Sequence, residues 1–278
     1  MRPILTRLRE PMPLLSLKDG ARLYYEVHGK GPAVALAHGL GGNHLSWWQQ
    51  VPVLARHFTC IAFAHRGFAP SHDPAGMPDP ARYADDLEAL LGHLEVEYVR
   101  LVGQSMGGWT ALDFALRHPA RVKALVMSAT IGTADPARLP GTTAQERSRW
   151  EDWARGEQAR LKGAGLYPAT GERMAREQPQ LHHLYQQIGR LAADFDREAM
   201  RKRLWARRTV PAEALAALRH PVLCLAGLED VVINPALVKA LAGALPAGRF
   251  EPFPETGHSP YFERAGRFNP MVLEFLAA

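Results

Sequence analysis

Six short, largely apolar runs punctuate the chain: AVALAH (33–38), TCIAFA (59–64), VRLVG (99–103), KALVMSA (123–129), PVLCLAG (221–227) and RFEPF (249–253). Strands that are apolar on both faces must be covered on both, which suits a parallel sheet with helices above and below. Ahead of them, LLSL and ARLYYEVH flank Lys18-Asp19-Gly20 and read as an antiparallel hairpin at that sheet's edge. Helical segments fill the intervals. In DPARYADDLEALLGHL, Asp79 can cap, Pro80 suits the first helical position, and Tyr83, Leu87, Leu90, Leu91 and Leu94 recur on one face. Alternating strand and helix predict an α/β protein.

The alternation stops between about residues 132 and 212. This segment holds no convincing strand and at least three helical stretches: Thr143–Leu161, opened by a Thr-x-x-Glu pair at Thr143 and Glu146, then Leu181–Leu191 and Asp194–Trp205. The expected layout is therefore a core domain built from 14–131 and 213–278, with 132–212 inserted as a helical unit. Residues 1–13, with Arg2, Arg7 and Arg9, read as an N-terminal arm.

Several function classes drop out on composition. No apolar run reaches the roughly 18 residues of a membrane span, and the opening MRPILTRLREPMP carries charges where a signal peptide needs its apolar segment, so no membrane partner and a cytoplasmic location are expected. Cys60 and Cys224 sit in apolar runs without C-x-x-C spacing and read as buried free thiols. The 12 histidines form no H-E-x-x-H pattern, and neither a metal nor a cofactor is expected. The net charge of +5 is not gathered into a basic run with interleaved aromatics, which argues against nucleic acid.

Chemistry enters at LVGQSMGGW. Gly103-Gln104-Ser105-Met106-Gly107 fits G-x-S-x-G, a pattern that composition would supply by chance about 0.05 times in such a chain. A strand runs straight into it and the helix-compatible WTALDFALRH follows. A serine there occupies a tight, strained turn, and small residues at Gly103 and Gly107 let strand and helix close around it. Its hydroxyl needs a base within reach, and His258, in PETGHSPYF after the last strand, is the candidate. The base needs an acid: the turn GLED after PVLCLAG offers Asp230 and its neighbour Glu229. The oxyanion formed on attack needs preorganised donors, and the backbone N–H groups of Leu40, in His38-Gly39-Leu40-Gly41-Gly42, and of Met106 are the expected pair. His38 itself is expected to hydrogen-bond within its own loop.

With HGLGG, GQSMGG, GLED and GHS each following a strand-like run, and with serine, acid and histidine in that chain order, the sequence resembles the α/β-hydrolase fold superfamily from about Leu14 to the C-terminus. The resemblance implies a mainly parallel sheet of about eight strands, helices on both faces and an inserted helical cap over the site. It places the acid at Asp230 and the oxyanion donors at Leu40 and Met106. Residues 64–71, AHRGFAPS, are similar to the superfamily's D-x-R-G-x-G-x-S stretch but carry Ala64 for Asp and Ala69 for Gly. Serine at the elbow, where epoxide and carbon–halogen hydrolases have aspartate, fits esterases, lactonases, thioesterases, amidases, C–C bond hydrolases acting on ring-cleavage products, and cofactor-free haloperoxidase or perhydrolase relatives.

The expected partner is a small-molecule substrate, and a homodimer stays open. Trp47 after the oxyanion loop, and Trp150 and Trp153 in the insertion, are the expected substrate-binding aromatics. The insertion carries 15 Lys plus Arg against 10 Asp plus Glu, which favours anionic substrates if the charge steers them. The leading expectation is a cofactor-independent serine hydrolase of small carboxylic esters, carboxylesterase-like. Its rivals are a C–C bond hydrolase or enol-lactonase of aromatic catabolism, and a ligand-binding sensor that keeps the triad without turnover.

Overall fold

The computed structural model describes residues 13–192 and 194–278. The arm expected over 1–13 lies outside them except for Pro13. Eight strands, β1 (Leu14–Ser16), β2 (Arg22–His28), β3 (Ala33–Ala37), β4 (Thr59–Phe63), β5 (Val99–Gln104), β6 (Val122–Ser128), β7 (Val222–Gly227) and β8 (Gly248–Phe253), form one sheet in the order β1-β2-β4-β3-β5-β6-β7-β8. The hairpin is antiparallel, β2 joins β4 antiparallel, and every later pairing is parallel.

Side-chain alternation explains why the runs had to be apolar throughout. Ala33, Ala35 and Ala37 of β3 pack on one face with Leu101, while Val34 and Leu36 pack on the other with Val102. The helices are α1 (Val51–Leu54), α2 (Tyr83–His93), α3 (Gly107–Arg117), α4 (Ala144–Gly163), α5 (Gly171–Glu177), α6 (Pro179–Ala192), α7 (Arg197–Ala206), α8 (Ala212–Leu215), α9 (Pro235–Ala244), α10 (Pro260–Glu263) and α11 (Ala265–Ala277). The first face is covered by α2, α3 and α9, through Leu87, Leu90, Phe114, Val238 and Leu241. Residues of α1 and α11, Leu54, Phe268, Val272 and Leu276, cover the second.

Asp79 caps as its sequence implied, accepting from the Ala81 amide at 2.9 Å in a 3-10 turn that leads into α2. In the insertion, Thr143 and Glu146 form a reciprocal capping box at the start of α4. The third expected stretch starts later, at Arg197, because Asp196 rather than Asp194 takes the cap, accepting from Glu198 and Ala199. Two helices carried no legible period: α5 buries only Met174 and α8 only Leu215. The insertion returns close to its departure, with Val210 donating to Thr133 O at 2.9 Å and Asp135 donating to Val210 O at 2.8 Å. No helix among the described residues is long and apolar enough to cross a membrane. Cys60 and Cys224 are free and buried, and burial pushes both thiols up to about 12.

Candidate active site

In-register pairing of the parallel strands lines their carboxyl ends along one edge of the sheet: Ala37 faces Gly103, Gln104 faces Ser128, and Gly227 faces Phe253. The segments that begin with His38, Ser105, Leu228 and Pro254 therefore leave the sheet side by side, where open α/β sheets bind ligands.

Ser105 has φ +47°, a left-handed conformation that L-residues adopt only under constraint. Its amide donates to Ser128 O at 2.9 Å, and its carbonyl accepts from Gly108 at 2.9 Å. The flanking glycines are sterically required. A Cβ on Gly107 would strike the Ala37 carbonyl, and one on Gly103 would meet Gly107 O at 2.7 Å. Met106 opens α3, where first-turn amides have no partner inside the helix and the helix dipole favours negative charge.

His258 Nδ1 and Asp230 Oδ2 lie 2.7 Å apart, with both side chains buried. The other Asp230 oxygen accepts from the amides of Val232 at 2.7 Å and Ile233 at 3.0 Å, so the carboxylate is fixed by its own turn. An imidazole that donates from Nδ1 leaves Nε2 able to accept a proton. Glu229, the other carboxylate in the turn, faces away and pairs with Arg173 of α5, 2.7 Å from Nη2. Gln104, next to Ser105, donates to His258 O at 3.2 Å and ties the serine turn to the histidine loop.

Glu263 escaped sequence reasoning. It is 4% exposed, and its two oxygens accept from the amides on either side of His258, Gly257 at 2.7 Å and Ser259 at 2.9 Å. Burial pushes its pKa up to about 7, against the pull of those two hydrogen bonds. The available signal was an acid inside an otherwise apolar run, SPYFE. Tyr185 of α6 supports the same loop. Its hydroxyl lies 3.2 Å from Ser259 Oγ, which also donates to the Ala169 carbonyl at 3.0 Å.

The loop after β3 is held by His38, as its sequence implied. Nε2 accepts from the His65 amide at 3.0 Å, so the ring proton sits on Nδ1 and is donated to Gly39 O at 2.8 Å. Full burial drives the ring down to about 3, so it stays neutral. Across a trans peptide the N–H points opposite to the C=O. Capture of the Gly39 carbonyl therefore turns the Leu40 amide away from the imidazole. A Cβ built on Gly39 would lie 3.3 Å from Ser105 Cβ, so this loop abuts the serine. Leu40 and Met106 share an apolar cluster with Phe68, Tyr83, Trp109, Met200 and Leu204, which forms the seam between sheet edge and insertion.

The three tryptophans expected at the substrate do not meet. Trp47 is fully buried and packs on Tyr261, ring centroids 4.8 Å apart. It sits in the core cluster on the second face of the sheet. Trp150 and Trp153 are neighbours on α4 at 6.3 Å, but Trp153 is 52% exposed. Trp150 walls a crevice with Val232 and Ile233, the residues whose amides hold Asp230. A wider surface groove of about 480 Å³, lined by Gln49, Gln178, Phe262 and Arg264, includes neither Ser105 nor His258. Among the described residues, no group of His, Cys, Asp and Glu is arranged to hold a metal ion.

Residues 32–265 match the family described as alpha/beta hydrolase fold. A Variovorax paradoxus protein named as carbamate hydrolase RutD is 32% identical over 268 residues, covering 92% of this chain and 96% of its own. A Mycobacterium tuberculosis protein named as non-heme bromoperoxidase BpoC is 29% identical over 283 residues, with 92% and 98% covered. A solved thermophilic esterase from Thermogutta terrifontis superposes with a TM-score of 0.74 at 26% identity, over 96% of this chain and 98% of that one.

Proposed function

The chain belongs to the α/β hydrolase fold family, and from that premise we propose that it is a serine hydrolase of small carboxylic esters working through an acyl-enzyme on Ser105. The buried 2.7 Å contact between His258 Nδ1 and Asp230 Oδ2, on the sheet edge that carries Ser105, is the observation that supports this reading most.

In this mechanism His258 Nε2 takes the Ser105 proton as Oγ attacks the ester carbonyl, and Asp230 steadies the imidazolium that results. The tetrahedral oxyanion is received by the backbone N–H groups of Leu40 and Met106. Each donor is preorganised: Leu40 by the His38 lock on its peptide, Met106 by its place at the start of α3. His258 then protonates the departing alcohol. Water enters, gives its proton to the same imidazole, and releases the carboxylic acid from Ser105. The chemistry calls on no metal or cofactor. The insertion over 132–212 acts as the cap, and its seam cluster around Met106 and Leu40 forms an apolar wall for the bound ester.

Hydrolysis of a 4-nitrophenyl ester series of increasing acyl length tests the reading. Ser105→Ala should lower kcat by about 10⁴-fold or more and abolish labelling by a fluorophosphonate. Activity retained in that variant refutes the assignment. Melting shifts with ligands but no turnover of any ester would instead favour a sensor.

A further inference from the structure

Arg208 follows α7 and lies between two indoles. Its Cζ is 5.0 Å from the ring centroid of Trp109, in the first turn of α3 four residues past Ser105, and 4.6 Å from that of Trp205. Stacking of this kind fixes the guanidinium plane and leaves its edge for hydrogen bonding. Along that edge, Nε and Nη2 are both sealed from solvent and have no hydrogen-bond partner among the described residues. These two atoms form a parallel donor fork, and elsewhere in this chain the same pair grips a carboxylate. Arg66 holds Asp86 through Nε at 2.6 Å and Nη2 at 2.5 Å, and Arg173 holds Glu229 in the same way.

Charge tells the two buried arginines apart. Burial lowers both, but at Arg66 the carboxylates of Asp86 and Asp19 more than offset it, whereas Arg208 is pushed down to about 10. A buried guanidinium fork without an anion is costly, so a bound anion would gain strongly from it. Arg208 lines the crevice walled by Trp150, Val232, Ile233 and Leu237, which has room for one small group, about 30 Å³. Glu151 stands on the same rim and its charge pulls Arg208 upward, against the larger effect of burial, but no oxygen of Glu151 hydrogen-bonds the Nε–Nη2 edge.

We propose that the Nε–Nη2 fork of Arg208 is the recognition site for a carboxylate carried by the substrate, so that the preferred ester or lactone bears a second, anionic group. The word substrate rests on the Ser105 reading; recognition of the carboxylate does not. Glutarate serves as the binding probe, and the mono-4-nitrophenyl ester of glutaric acid against 4-nitrophenyl butyrate as the kinetic pair.

Calorimetric titration should show glutarate binding to the native chain and to Ser105→Ala, with Kd raised about 10- to 100-fold in Arg208→Gln. The ratio of kcat/KM for the anionic ester over the neutral one should fall by a similar factor. Arg208→Lys keeps the charge but not the fork, so it should weaken glutarate by about tenfold and covers the case in which Arg208→Gln does not fold. Equal glutarate affinity in native and variant chains, no glutarate binding by the native chain, or an unchanged ratio overturns the proposal. If neither ester turns over but glutarate binding still depends on Arg208, the Ser105 mechanism falls and the recognition site stands.

Discussion

Glu263 reaches His258 through the main chain alone. By accepting from Gly257 and Ser259 it fixes the backbone on both sides of the imidazole and so acts as a positioning residue. In Glu263→Gln one amide N–H would face an NH₂ group. That variant should lose about 10- to 100-fold in kcat with KM changed far less, because the base is displaced rather than the substrate. It also makes a pH statement. Burial holds the folded carboxyl's pKa up at about 7, against 4.5 for an unfolded glutamate, so between those values the folded chain holds the extra proton. Stability therefore falls as pH rises through that window, and thermal melting should show the native chain losing ground to Glu263→Gln across it. Ser105 and His258 could be named as candidates because each follows an apolar strand within a few residues, whereas the choice of Asp230 over Glu229 in the turn after β7 came from the superfamily resemblance. Glu263 could not be named, since its partners are amides that every sequence has, and Arg208 was hidden in an insertion with 15 Lys and Arg.

The stretch after β4 shows what an element can keep when its motif drifts. Ala64 stands where the superfamily pattern has an acid, yet its carbonyl accepts from Ser71 Oγ at 2.7 Å, and the same hydroxyl accepts from the Tyr24 amide at 2.8 Å. Arg66 ties this stretch to α2 through Asp86 and to the β1–β2 turn through Asp19 at 2.9 Å. Both partners of the Arg66–Asp86 pair are buried, with side chains 5% and 6% exposed. Asp86→Ala should accordingly cost about 3 kcal/mol, because Nε and Nη2 lose their partner while Asp19 keeps Nη1. Calorimetric melting should register this as a drop on the order of 10 °C. Core helices declared themselves by apolar spacing, as α2 did. Within the insertion, α5 did not, because a helix that buries one methionine leaves almost no period to read.

Across the whole molecule, each core segment carrying a site residue is touched by the insertion. Gln158 of α4 donates to Val231 O beside Asp230, Trp109 of α3 donates to Leu204 O at 3.0 Å, and Tyr185 of α6 meets Ser259 beside His258. The excess of five positive charges over 132–212 equals the net charge of the chain, so the molecule's field is centred on that side. If the field steers substrate, raising salt from about 10 mM to about 500 mM should lower kcat/KM for the anionic ester and leave the neutral ester nearly unchanged. Equal salt responses would remove steering while leaving Arg208's local fork untouched.

The insertion departs and returns through one small seam, Thr133 to Asp135 against Val210. Because its two feet stand together, the sheet imposes no constraint on how long or how shaped the excursion between them is, and closure entropy grows only slowly with its length. The arrangement is that of an interchangeable attachment on a fixed mount. A different helical segment spliced between Thr133 and Val210 would leave the strand register and the His258–Asp230 contact to the mount, but it would have to replace the supports that Gln158, Tyr185 and Leu204 lend to the segments beside the site.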